Sequence, residues 1–139
     1  MEDSYRELFL SESQEYLSNI SGCLVKLEEN PSDPSSINEI FRCVHTLKGM
    51  SATMGYEKLA TLSHEMEDLL DELRNKKQEL SPGIMDTLFA AVDILEQLFT
   101  EIKSKKESTL DISGIGNTLK SFLVENQKGE PVVKEKGSG

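Results

Sequence analysis

With 139 residues, the chain has the length of one domain and can bury a sizeable hydrophobic core. Its 25 acidic and 15 basic residues leave a net charge of −10, which argues against binding nucleic-acid phosphates or an anionic membrane. A hydrophobic fraction of 37% separates it from disordered chains, so a soluble folded domain is the class that remains.

Five helical segments are predicted in chain order, and no strand. The first spans about Ser4 to Glu29. Ser4 and Glu7 can form a capping box, and Leu8, Glu12, Tyr16, Ile20, Cys23, Leu24 and Leu27 recur at helical spacing. The stretch Asn30-Pro31-Ser32-Asp33-Pro34 stops it. Asp33 can cap the second helix with Pro34 at the first helical position, while Ser36 with Glu39 offers a competing capping box. The second helix reaches Met54 with Ile37, Ile40, Val44, Leu47 and Met54 inward, and Gly55 can take the left-handed conformation that ends it. The third runs from about Tyr56 to Arg74, with Leu59, Leu62, Met66, Leu69, Leu70 and Leu73 inward. Ser81-Pro82 opens the fourth, whose stripe is Ile84, Leu88, Val92, Leu95, Leu98 or Phe99, then Ile102. A shorter fifth segment, about Ile112 to Glu125, starts behind Asp111 as a cap and carries Ile112, Ile115, Leu119, Phe122 and Leu123.

Connections this short force neighbouring helices to run antiparallel. The predicted fold is therefore all-α: an antiparallel up-down four-helix bundle with an additional fifth helix on its side. The domain is expected to occupy residues 1–126. Residues 127–139 are polar and glycine-containing, so they are expected to be a disordered linker and the chain a piece of something longer. The acidic opening Met1-Glu2-Asp3 is not expected to be a secretory signal, and there is no run of 18 apolar residues to insert in a membrane. Cys23 and Cys43 make neither a disulfide framework nor a metal knuckle. Cys23 is expected to be a small buried hydrophobe, and a reducing cytoplasm is the expected compartment. The pairs Lys76-Lys77 and Lys105-Lys106 fall at interhelical connections and read as solubilising caps.

One stretch carries chemistry: His45-Thr46-Leu47-Lys48-Gly49. Val44 and Leu47 point to the core, so His45 is turned about 100° from Val44, to the edge of the stripe. Phe41, Lys48, Gly49 and Ala52 share its face. Glycine inside a helix costs about 1 kcal/mol relative to alanine, and here it would leave the ring open to a large partner. His45 lies 10 residues before Gly55 and Glu67 lies 12 after it, so on antiparallel helices they are level to within a turn. His64 is one turn from Glu67 on the same face. The chain's only two histidines and one carboxylate thus converge on one groove. A carboxylate that accepts one ring N–H fixes the tautomer and leaves the other nitrogen nucleophilic, and a partly solvent-exposed Glu67 is expected to play that role. Lys48 would supply positive charge to phosphoryl oxygens. Each residue alone has an ordinary explanation: a half-buried polar ring, a solvated acidic face, a surface lysine, close helix packing at glycine. Four such accidents would have to coincide at one level of one groove.

His45-Thr46-Leu47-Lys48-Gly49 resembles the phosphoacceptor motif of histidine phosphotransfer domains. Leu62-Ser63-His64-Glu65-Met66-Glu67 resembles the next-helix motif of chemotaxis histidine kinases, the CheA family, and Met54-Gly55-Tyr56 is similar to the turn between those helices. The resemblance covers roughly residues 3 to 126. It implies that His45 is the phosphorylation site, Glu67 its hydrogen-bond partner, Lys48 and His64 a supporting shell, and Gly49 the access residue. It also implies no cofactor in this domain, ATP and Mg²⁺ being used by a separate kinase domain of the parent protein. The partners implied are that ATP-binding domain and chemotaxis response regulators, with the isolated domain a monomer and not an enzyme by itself. A stand-alone or hybrid-kinase phosphotransfer protein is the first rival. A metal-binding bundle is the second, disfavoured because neither histidine has a Glu three residues before it. A purely structural helical bundle is the third.

Overall fold

The computed structural model describes residues 2–128. Its helices are α1 (Glu2–Glu29), α2 (Pro34–Met54), α3 (Glu57–Arg74), α4 (Pro82–Lys103), α5 (Ser113–Ser121) and α6 (Val124–Lys128). There is no strand among the described residues, and no helix of theirs is long and apolar enough to cross a membrane. Helices α1 to α4 form the expected antiparallel bundle, and α5 packs against α3 and α4.

The core faces of α3 and α4 are as predicted, except that Ile102 at the end of the α4 stripe is only half-buried. Leu59, Leu62, Met66, Leu69, Leu70 and Leu73 are buried, as are Ile84, Leu88, Val92, Leu95 and both Leu98 and Phe99. In α2, Ile37, Ile40, Val44 and Leu47 are buried and Met54 is half-buried. In α1 the phase differs over the first half. Phe9, Ser13, Leu17, Ile20, Leu24 and Leu27 are buried, whereas Leu8 is 57% exposed, Glu12 is exposed and Tyr16 half-buried. A row stepped by four residues drifts about 40° per step on an α-helix, so counting back 20, 16, 12, 8 leaves the core face. Steps of three and four, 20, 17, 13, 9, keep it. Cys23, expected to be buried, is only half-buried, whereas Cys43 is buried. Burial and the nearby Glu39 carboxylate push the Cys43 thiol up to about 11.

Helix ends follow local chemistry. Helix α1 begins at Glu2, so Ser4 lies inside it and the Ser4–Glu7 box is not its start. Asp33 wins the competition at α2: its side chain accepts from the Ser35 N–H at 3.0 Å and from the Ser36 hydroxyl at 2.9 Å. Gly55 (φ 81°) closes α2 in the left-handed region, with its N–H on Ala52 and that of Tyr56 on Ser51. Lys76 and Lys105, both at φ 59°, close α3 and α4 with the same bond pattern. The lysine pairs are therefore helix terminators and more than solubilising caps.

The predicted single fifth helix is interrupted at Phe122–Leu123. The Gln78 side-chain amide donates to the Phe122 carbonyl at 2.6 Å, and the Val124 N–H donates to Glu72 Oε1 at 3.0 Å. Both bonds take backbone groups that a continuous helix would have used. Asp111 accepts from the Ser113 N–H at 2.9 Å, as a helix start requires, although Ile112 is the residue at the cap position. Lys58 ties down the connection before α5 by donating to the Ser108 carbonyl at 3.2 Å and the Leu110 carbonyl at 2.5 Å. Helix α6 runs past the expected domain boundary at 126. The rest of the expected linker, from residue 129 on, lies outside the described residues.

Because Asp33 holds two donors while Ser36 only donates to it, Asp33→Ala should destabilise the domain by about 1 kcal/mol, and Ser36→Ala by less. Urea unfolding of the two variants measures the difference. Equal losses would mean that the two caps share the helix start.

Candidate functional site

Helices α2 and α3 run antiparallel through the Gly55 turn, which brings His45 and Glu67 face to face. Val44 and Leu47, 0% and 1% exposed, anchor α2 in the core and turn His45 outward. Met66 and Leu70, both fully buried, fix α3 on either side of Glu67. The outcome is asymmetric: the His45 side chain is 61% exposed, whereas that of Glu67 is only 10% exposed. The expectation of a partly solvated Glu67 is thus corrected. Its carboxylate lies beneath the histidine, buried by the neighbouring helix.

Glu67 divides its two oxygens between two donors from α2. Oε2 meets His45 Nδ1, and Oε1 accepts from Lys48 Nζ at 2.6 Å. His45 and Lys48 are three residues apart, so both reach the same carboxylate from one helix face. Burial by itself pushes the Glu67 carboxyl up. The hydrogen bonds and charges of Lys48 and His45 outweigh it and hold the group below its ordinary value of 4.5. An ionised carboxylate can only accept, so the neutral His45 ring must carry its proton on Nδ1. That leaves the lone pair on Nε2.

His64 joins this cluster at one remove. Its Nδ1 is 3.9 Å from Glu67 Oε1 and its Nε2 is 3.6 Å from Asp68 Oδ2, beyond hydrogen-bond distance. It makes no hydrogen bond to His45 among the described residues. Lys48 sits on the Glu67 carboxylate instead of beside the imidazole. At Gly49 a Cβ would meet nothing within 4 Å, so the glycine stands at open space and is not required by close helix packing. That space belongs to a groove between α1 and α2, bordered by Tyr5, Leu8, His45, Gly49 and Met50.

Two neighbours were missed in the sequence. Asp68 stands 3.6 Å from His64, and Arg74 lays its guanidinium carbon 3.9 Å from the centre of the Phe41 ring. Arg74 was findable, because it lies seven residues after Glu67, two turns along the same face of α3. No group of three or more His, Cys, Asp or Glu side chains that could hold a metal ion occurs among the described residues.

With its folded value below 4.5, the Glu67 carboxylate contributes stability that is complete above that pH and is lost as the pH falls through the lower folded value. A carboxyl-carbon NMR titration should place the Glu67 midpoint below 4.5 in the folded domain and move it upward in Lys48→Met. A midpoint unmoved by that substitution would mean that Lys48 does not hold the carboxylate ionised.

The family model described as "Hpt domain" matches residues 4–105. The chain is 41% identical over 117 residues to the chemotaxis protein CheA of Bacillus subtilis, a match that spans 84% of the chain and 17% of that protein. It is 35% identical over 129 residues to CheA of Listeria innocua, spanning 93% of the chain and 21% of that protein. The chain thus spans about a fifth of the length of these relatives. Among solved structures, the CheA phosphotransferase domain from Thermotoga maritima shares 41% identity with a TM-score of 0.69, covering 72% of this chain and 95% of that one. A solution structure of the histidine phosphotransfer domain of CheA shares 39% identity with a TM-score of 0.79, covering 88% of this chain and 93% of that one. A phosphorylated P1 domain of CheA3 in complex with CheY6 from R. sphaeroides has a TM-score of 0.75 at 23% identity, a likeness of fold. An exposed histidine fixed from beneath by a buried carboxylate, on a bundle that matches these domains along nearly its whole length, places this chain in the Hpt domain family, among the phosphotransfer domains of CheA proteins.

Proposed function

We propose that this domain is the phosphoryl carrier of a chemotaxis histidine kinase, with His45 Nε2 as the atom that carries the group. The observation that supports this most is the pairing of His45 Nδ1 with the buried Glu67 carboxylate, which leaves the solvent-facing nitrogen as the nucleophile. His45 Nε2 attacks the γ-phosphorus of ATP held by a separate kinase domain. The N–P bond forms, the P–O bond to ADP breaks, and the positive charge developing on the ring is steadied by Glu67. An aspartate oxygen of a response regulator then attacks the same phosphorus, and the N–P electron pair returns to Nε2.

The domain is not an enzyme by itself. It supplies an oriented nucleophile, and ATP and Mg²⁺ belong to the kinase domain, so no cofactor is assigned here. Lys48 and His64 are assigned to the phosphoryl oxygens because both stand against the Glu67 carboxylate that His45 also meets, Lys48 then leaving Glu67 or sharing it. The groove between α1 and α2 gives a protein partner room beside His45, with Tyr5 and Leu8 presenting apolar surface there, 58% and 57% exposed. Those partners are the parent protein's kinase domain and response regulators, met by a monomeric domain in the cytoplasm.

His45→Gln should abolish phosphoryl acceptance from a chemotaxis kinase core and ATP while leaving the helical circular dichroism unchanged, because His45 is outside the core. Acid-labile label appearing on His64 in that variant would overturn the assignment.

Glu67→Ala should slow acceptance without abolishing it, since the nucleophile survives. Groups that assist proton handling contribute about 10²–10⁴-fold, and Glu67 orients the ring without moving a proton, so a loss at or below the low end is expected. Single-turnover labelling, together with the His45 ring ¹⁵N shifts, checks both the rate and the tautomer.

A further inference from the structure

The hydrogen bond to Nδ1 sets the turn of the His45 ring about Cβ–Cγ at a given χ1, but concerted changes of χ1 and χ2 tilt the ring plane while Nδ1 stays on Glu67. A side chain 61% exposed keeps that freedom unless a neighbour packs beside it. Phe41 is one helical turn before His45 on the same face, and both side chains lean toward the N-terminus, so the two rings sit as neighbours with aligned planes. The two rings are 6.2 Å apart, centre to centre, and parallel within 9°. Phe41 is itself restrained from the neighbouring helix. The Arg74 guanidinium carbon lies 3.9 Å from its ring centre, and Arg74 Nη2 is tied to Asp71 Oδ1 at 2.8 Å. Asp71 also accepts from the Asn75 side-chain amide at 3.1 Å, so the restraint is built from the last turn of α3.

We infer that Phe41 is a positioning residue for phosphotransfer at His45, with Arg74 holding Phe41 in place. The inference deepens the reading of His45 as phosphoacceptor and rests on it. Glu67 favours the Nδ1–H tautomer, and Phe41 keeps the ring in the plane where that N–H meets Glu67 and the Nε2 lone pair points outward, so loss of Phe41 weakens the tautomer preference as well as the aim. Neither Phe41 nor Arg74 touches the reacting atoms. The lone pair lies in the ring plane, so a ring that swivels aims it away from an incoming phosphorus for part of the time.

Phe41→Leu keeps an apolar side chain and removes the flat face, and Phe41→Tyr restores that face. Single-turnover phosphorylation by a kinase core with ATP should be about 2- to 10-fold slower in Phe41→Leu, the range expected when one aromatic pair is lost, and restored in Phe41→Tyr. At pH 8.5, ring ¹⁵N shifts of His45 should show a smaller Nδ1–H fraction in Phe41→Leu, again restored in Phe41→Tyr. Arg74→Met, on the exposed last turn of α3, should move both readouts in the same direction by a smaller factor without affecting the fold. Wild-type rate and tautomer fraction in Phe41→Leu would overturn the inference, as would equal slowing in the Leu and Tyr variants. If instead the unsubstituted domain accepts no label on His45, the phosphocarrier reading itself fails, which is a separate result.

Discussion

Burying a carboxylate in a helix interface is costly unless the charge is fully matched, and the site depends on how that is met at Glu67. Only 10% of its side chain reaches solvent, and an isolated charge there would push the group to neutrality. Two donors from α2, separated by less than one turn, meet its two oxygens. The match exists only in one register of α2 against α3, and Gly55 sets that register by closing α2 in a left-handed turn. A slip by one residue would rotate both partners off the shared face and leave the charge unpaired. The polar pairing therefore constrains how two apolar stripes dock, a role that the stripes alone do not fill, since leucine packing tolerates small shifts.

The same constraint separates the parts of the site by depth. On the proposed phosphocarrier reading, the group that reacts is outside and the group that orients it is inside. An exposed histidine can be approached by partners of different shape, while a buried carboxylate keeps its own geometry whichever partner is present. On that reading the arrangement holds a nucleophile ready.

Away from this site, the additional helices are attached by a different kind of interaction. The connection before α5 is held by Lys58 on two carbonyls, and the break between α5 and α6 is held by Gln78 and Glu72. These are side chains of α3 and of the following turn that reach backbone groups on the chain's return. Leu119 is the large apolar side chain of α5 that is fully buried, and Ile112, Ile115, Phe122 and Leu123 pack against the core at its edge, so polar ties and apolar contacts together place this segment.

The sequence by itself determined the helical class, the four bundle helices, the core faces of α3 and α4, and the meeting of His45 with Glu67. Those features depend on local periodicity and on one turn, and the angle between successive side chains is fixed once the backbone dihedrals and hydrogen bonds of an α-helix are adopted. Tertiary structure decided what periodicity leaves degenerate. It selected Phe9 over Leu8 as the core residue of α1, because a helix 28 residues long carries more than one apolar row and the neighbouring helices choose between them. It divided the fifth helix, because Gln78 and Glu72 compete for backbone groups from 44 and 52 residues away. It buried Glu67 and drew Lys48 onto it, because exposure depends on how closely two helices approach and no one-dimensional pattern carries that distance.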